Sequence, residues 1–136
     1  MKYLVLLCSL CLIGCTVSSS SSQAPVTEPE VIVNSYENAL KASALKKKPL
    51  FLYFGASWCG PCQQIKANTF QTPEVQKRFG DFVVWFVDID KDANLKQKYG
   101  VTAVPTYFVV DSNEKILGSS SGYRQKKDFL EWLSKY

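Results

Sequence analysis

Trp58-Cys59-Gly60-Pro61-Cys62 sets two thiols three positions apart. Two intervening residues in the first turn of a helix bring such sulfurs within bonding distance without moving the rest of a fold. The chemistry open to them is thiol–disulfide exchange: a thiolate attacks a disulfide sulfur, and a second thiol resolves the mixed disulfide. The two positions are not equivalent. An apolar strand precedes Cys59 and a helix follows it, so Cys59 meets the unpaired N–H groups and macrodipole of a helix N-terminus, which favour an anion. That effect is about 0.3–1 kcal/mol, and up to about 2 in favourable sites. At about 1.36 kcal/mol per pKa unit it accounts for roughly one unit, and hydrogen bonding from the Cys62 thiol or backbone must supply the rest. A shift from about 8.5 to about 7 raises the thiolate fraction at neutral pH from a few per cent to about half. Cys59 is therefore expected to attack, and Cys62, one turn into the helix and more buried, to resolve. Trp58, Gly60 and Pro61 form the active-site loop around them.

Three blander readings compete. A structural zinc site needs four ligands, and residues 31–136 carry only these two thiols and no histidine, so no metal site is expected. A purely structural disulfide would close so small a loop that its entropic stabilisation is slight. A buried, inert pair is at odds with a Gly-Pro bend beside a tryptophan. The absence of histidine from all 136 residues also removes Ser-His-Asp and Cys-His nucleophile pairs and c-type haem attachment. Sixteen basic against twelve acidic residues give a net charge of +4 with no dense Lys/Arg tract, so nucleic-acid binding is not expected.

The elements that must hold this pair are legible from 31 to 136. Asn34 is a candidate cap for a helix to about Lys46, with Tyr36, Leu40 and Leu45 among its apolar positions and Pro49 as its stop. Lys46, Lys47 and Lys48 complement the last turn of that helix. The apolar run 50–54 predicts a strand buried on both faces. A helix over 61–70 opens with a proline, and Thr72-Pro73-Glu74 starts another, to Phe79. A second buried strand is expected over 82–87. Asp92 caps a short helix that Gly100 ends. A strand over 106–110, a turn over 111–114 and a return strand over 115–118 follow. In the last helix, 125–136, Phe129, Trp132, Leu133 and Tyr136 form one apolar stripe. This order favours an α/β domain, a central mixed sheet with helices on both faces.

The N-terminus reads as an address. Lys2 and the amino terminus precede an apolar run from Tyr3 to Ile13. As a helix it would reach about 16 Å, roughly half of a hydrocarbon core of about 30 Å, so 1–15 is read as a signal peptide and not a membrane span. Leu12-Ile13-Gly14-Cys15 resembles a bacterial lipobox, which implies lipidation of Cys15; an ordinary secretory signal is the plainer alternative. Cys8 and Cys11 are read as small hydrophobes within the run. Residues 16–30, with five consecutive serines at 18–22, read as a flexible linker with a reach of roughly 20 Å.

Residues 31–136 resemble thioredoxin-like proteins through Trp58-Cys59-Gly60-Pro61-Cys62, Lys98-Tyr99-Gly100 and Val104-Pro105-Thr106. The resemblance implies a thioredoxin fold and a cis-proline at Pro105 facing the cysteines. It also implies a Val104 backbone free to pair with an extended substrate in the manner of an added strand. The stretch from Asn68 to Val75 is similar to envelope modules such as the C-terminal domain of the DsbD type. Two positions depart from the cytosolic pattern: Tyr53 stands where a buried aspartate is usual, and Phe86 where a lysine pairs with it. The usual internal proton acceptor for Cys62 is then missing, and either water, a backbone group or a substrate group takes the proton or resolution is slower.

Together with the N-terminal address, the resemblance implies an extracytoplasmic thiol–disulfide oxidoreductase of the bacterial envelope that needs no cofactor beyond its two sulfurs. The family's Gly-Pro dipeptide goes with reducing potentials, so the expected direction is disulfide reduction. A disulfide oxidase or isomerase, or a non-catalytic client-binding module, remains the alternative. Its partners would be protein disulfides, a membrane electron donor of the DsbD or CcdA type, and the membrane itself through the lipid anchor. The chain is expected to act as a monomer.

Overall fold

Alternation along one strand divides the core in two. In the computed structural model, which describes residues 34–136, β1 (Leu50–Gly55) is buried along its whole length. Successive side chains of a strand point to opposite faces. Phe51 and Tyr53 enter an aromatic cluster with Phe70, Phe79, Tyr107, Phe129 and Trp132, whereas Phe54 packs on Tyr99 and Phe108 across the other face. Full burial of an aromatic or large aliphatic side chain stabilises by about 1.5–3 kcal/mol, so β1 is the spine of the fold.

The remaining elements are β2 (Val83–Asp88), β3 (Thr106–Val110) and β4 (Ile116–Ser121), with helices α1 (Tyr36–Lys46), α2 (Gly60–Ile65), α3 (Pro73–Phe79), α4 (Ala93–Lys98) and α5 (Lys126–Leu133). The sheet order is β2-β1-β3-β4. β2 runs parallel to β1 with Tyr53 opposite Phe86 and Gly55 opposite Asp88; β3 pairs antiparallel with β1, and β4 antiparallel with β3. The aromatic cluster brings α3 and α5 to one face. A hydroxyl–hydroxyl hydrogen bond of 2.7 Å joins Tyr36 of α1 to Tyr99 after α4, over the Phe54 face.

Several expectations change in detail. Ser35, not Asn34, caps α1, its hydroxyl accepting the Asn38 N–H at 3.2 Å. Leu45, read as an apolar position of α1, is 76% exposed, because the helix buries Tyr36, Ala39 and Ala42 instead. The expected helix over 61–70 divides into α2 and a π-helical turn, Lys66–Phe70, closed by the Gln71 N–H on the Lys66 carbonyl. Thr72 stands at the cap of α3, yet its hydroxyl donates to the Thr69 carbonyl at 2.7 Å and caps nothing. β2 is an edge strand whose Phe86 side chain is open to solvent. Asp92 caps α4 by accepting the Leu95 N–H, and Gly100 follows in the left-handed region at φ 61°, which a side chain would strain. The readings of 1–15 as a signal peptide, of Cys15 as a lipidation site, of 16–30 as a linker and of a domain start at Val31 lie outside the described residues.

Candidate functional site

Gly55 ends β1, Ala56 follows it, Ser57 and Trp58 turn the chain outward, and α2 begins at Gly60 with Pro61 in its first turn. Cys59 is the cap residue of α2, with extended backbone, and its Sγ accepts the Cys62 N–H at 3.2 Å. One of the orphan amides of the helix start is therefore aimed at the sulfur. Cys59 and Cys62 form a disulfide, with Cα atoms 5.2 Å apart.

The end of β3 faces them. The Val104–Pro105 peptide is cis, and Cys59 Sγ, which carries no hydrogen in the disulfide, lies 3.7 Å from the Val104 carbonyl oxygen. Among the described residues neither the N–H nor the C=O of Val104 is taken by another backbone group. The flanking turn is pinned by the Thr106 hydroxyl on the Ala103 carbonyl at 2.7 Å and by the Gly122 N–H on the Pro105 carbonyl at 2.8 Å.

Trp58 is 66% exposed, and its indole N–H donates to Asp90 Oδ2 at 2.8 Å. A cavity of about 340 Å³ runs from Trp58 and Asp90 past Lys96 to Val104. Cys59 and Cys62 are 4% and 1% exposed. Loop exposure thus belongs to Trp58, Gly60 and Pro61, while the sulfurs lie beneath them, Cys59 marginally the more open.

Under the helix the two departures are juxtaposed. Tyr53 is fully buried, packs against Phe86 with ring centroids 5.2 Å apart, and directs its hydroxyl at the Cys62 carbonyl at a long 3.4 Å. Burial, with a smaller contribution from Tyr107, pushes its phenol above the usual range, so at neutral pH Tyr53 is a neutral donor and no proton acceptor. Gly55 makes room for it: a Cβ there would stand 2.6 Å from Tyr53 Cε1. Beside this pair a cavity of about 380 Å³ is lined by Cys62, Lys66, Phe86 and Asp88 among others. Among the described residues no three Cys, Asp or Glu side chains gather where they could share a metal ion.

Residues 36–136 match the thioredoxin-like domain family. The chain belongs to that family. Thioredoxin of Rickettsia felis is 29% identical over 104 residues, which cover 75% of this chain and 95% of that one. The structure of a thioredoxin from Thermus thermophilus superposes with a TM-score of 0.67 at 26% identity, covering 74% of this chain and 82% of the other. The C-terminal domain of DsbD from Neisseria meningitidis superposes at 0.60 with 30% identity, covering 71% and 90%. The mixed four-stranded sheet is the thioredoxin fold, and with its Cys59–Cys62 pair this thioredoxin-like chain is a thiol–disulfide oxidoreductase.

Asp90, Gly55 and Lys66 escape a reading of the motif alone. Asp90 follows β2 and meets Trp58 only through the parallel β1–β2 register. Lys66 carries a sequence signal that the motif overshadows: it lies four positions beyond Cys62, on the same helical side.

Proposed function

We propose that this protein is a disulfide reductase of the bacterial envelope, tethered by a lipid on Cys15 and acting on protein disulfides. One observation carries the chemistry: the Cys59–Cys62 pair sits at the start of α2 with Cys59 Sγ against the unpaired backbone of Val104, next to Pro105. An extended client segment pairing with Val104 brings its disulfide to Cys59. The Cys59 thiolate attacks one client sulfur, the client disulfide breaks, and a mixed disulfide forms. Cys62, as thiolate, then attacks Cys59 Sγ; the client sulfur leaves and takes a proton from solvent. Two electrons pass from the dithiol to the client, and Cys59–Cys62 is left oxidised. No cofactor beyond the two sulfurs takes part.

The direction is supported by the Gly60-Pro61 dipeptide and by the absence of a histidine beside Cys62. The envelope setting is supported by the reading of residues 1–15 and by the likeness to the DsbD domain. Turnover then requires a membrane electron donor of the DsbD or CcdA type, served by a single copy of this chain.

The test has two parts. Cys62→Ser is expected to accumulate mixed disulfides with envelope proteins that Cys59→Ser does not, and trapping no greater than in the Cys59→Ser control refutes the exchange mechanism. The equilibrium potential of the pair is expected near thioredoxin's roughly −270 mV; a value near the roughly −120 mV of DsbA makes the protein an oxidant instead.

A further inference from the structure

We infer that the Lys66 ammonium governs the ionisation of Cys62, in place of the buried carboxylate that Tyr53 replaces. The inference rests on the exchange mechanism above. Cys62 must carry negative charge twice in a cycle: when it attacks the mixed disulfide, and when it leaves as an electron donor attacks Cys59. Yet Cys62 is 1% exposed, and burial disfavours an anion. Tyr53 supplies a neutral phenol and Phe86 no charge at all.

Lys66 lies one helical turn beyond Cys62, its own N–H bonded to the Cys62 carbonyl. Side chains so spaced share a helix face, with Cβ atoms about 5–6 Å apart. Its Nζ stands 5.2 Å from the Tyr53 ring centroid and 5.6 Å from that of Phe86. The aromatic faces seat the cation without neutralising it, as a carboxylate would. Among the described residues no carboxylate lies within ion-pair distance of Lys66. Lys66 and Cys62 line one cavity of about 380 Å³, wide enough for water to carry the proton away.

The other charged groups around the cavity are accounted for. Asp88 lines it from β2 and opposes the effect of Lys66, but it is partly compensated by Lys91 at 3.7 Å and by the Asp90 N–H at 3.1 Å. Asp90 accepts from the Trp58 indole, and Cys59 caps the helix. The chain has thus exchanged an acid–base relay for a cation and a water-accessible cavity.

In the resolving step Cys62 Sγ bonds to Cys59 Sγ, the Cys59–client bond breaks, the client thiolate is protonated from solvent, and the Cys62 proton goes to water. Loss of a partly exposed cation raises a neighbouring thiol by about half to one pKa unit. For one unit the thiolate fraction falls about tenfold, while the intrinsic nucleophilicity rises about threefold with a Brønsted slope near 0.45. Resolution by Lys66→Gln at neutral pH is therefore expected to slow about threefold. Well above both thiol midpoints the order reverses and the variant resolves up to about threefold faster, which a merely loosened helix would not produce.

The decisive measurement is the alkylation of Cys62 against pH, read on the peptide that contains it, in the Cys59→Ser background of the full chain. Lys66→Gln is expected to raise the midpoint by about half to one unit, Lys66→Arg to restore it, and Asp88→Asn to lower it. An unmoved midpoint in Lys66→Gln, or one equally displaced in Lys66→Arg, overturns the inference. In that event normal reduction of insulin disulfides by the unmodified protein leaves the proposed function standing. A moved midpoint in a protein without such activity sinks the function and keeps the electrostatics.

Discussion

Gly55→Ala tests whether the seat of Tyr53 beside Cys62 is as tight as the structure draws it. A methyl at position 55 would lie 2.6 Å from Tyr53 Cε1, 2.8 Å from its hydroxyl and 3.0 Å from Cζ. The ring cannot swing aside, because Tyr53 is fully buried with Phe70 and Phe86 at centroid distances of 5.3 and 5.2 Å. Overpacking by one methyl typically costs about 1–3 kcal/mol. Replacing glycine also restricts the unfolded chain, which returns about 0.4–1 kcal/mol. The net loss is expected at about 1–2 kcal/mol. With a urea m-value at the low end of about 1–3 kcal/mol/M, the midpoint of unfolding falls by about 1–2 M. Both forms are compared oxidised, so the disulfide is held constant. Tyr53→Phe removes only the hydroxyl contact and is expected to recover part of the loss in the double variant; Tyr53→Leu, which withdraws the ring, is expected to recover more. A Gly55→Ala midpoint equal to that of the unmodified protein, or a loss unchanged by either second substitution, would show that Tyr53 is not what fills the space.

Glu114 in the β3–β4 turn is held below the usual carboxylate range, first by its bond to the Lys98 ammonium and then by the Tyr36 hydroxyl. A folded-state value that is depressed stabilises fully above the unfolded carboxyl near about 4.3 and is lost as pH falls through the folded value. Glu114→Gln is expected to lower the urea midpoint at neutral pH, by under about 1 kcal/mol of stability for so exposed a pair. The deficit should disappear in strong acid, and one of equal size at both pH values would refute the ionic origin. Cys15→Ala is expected to abolish labelling by a fed fatty acid and release the chain from membranes; a variant that is still labelled removes the lipoprotein assignment.

Some of this protein could be read along the chain because the causes are local. The thiol spacing, the proline in the first turn of α2 and the apolar run of β1 act within a few residues, and they located the disulfide pair, the strand before it and the helix after it. The hydrophobic stripe of α5 was equally plain, and Phe129, Trp132 and Leu133 are buried. The caps shifted by a residue or a role, at Ser35 and Thr72, because neighbouring polar side chains and nearby carbonyls offer competing local hydrogen bonds. The π-helical turn after Ile65 was not legible: nothing in Lys66-Ala67-Asn68-Thr69-Phe70 announces a surplus residue. Its register follows burial of Thr69 and Phe70 against distant elements, Thr69 Oγ1 reaching the Arg124 carbonyl at 2.7 Å.

The site divides along the same line. Cys59, Cys62 and Pro105 were visible as motif residues, whereas the partnership of Trp58 with Asp90, the room Gly55 leaves for Tyr53 and the place of Lys66 over two rings were not. The pairing of Trp58 with Asp90 and the place of Lys66 over the rings join different elements, brought together by the parallel β1–β2 register and the docking of α2 on the sheet. Gly55 and Tyr53 share β1, but the packing of Phe70 and Phe86 is what fixes the ring against Gly55. Bonding over three positions needs only a helix; a charge acting on a buried sulfur depends on everything that surrounds it, and that is settled only when the chain has closed on itself.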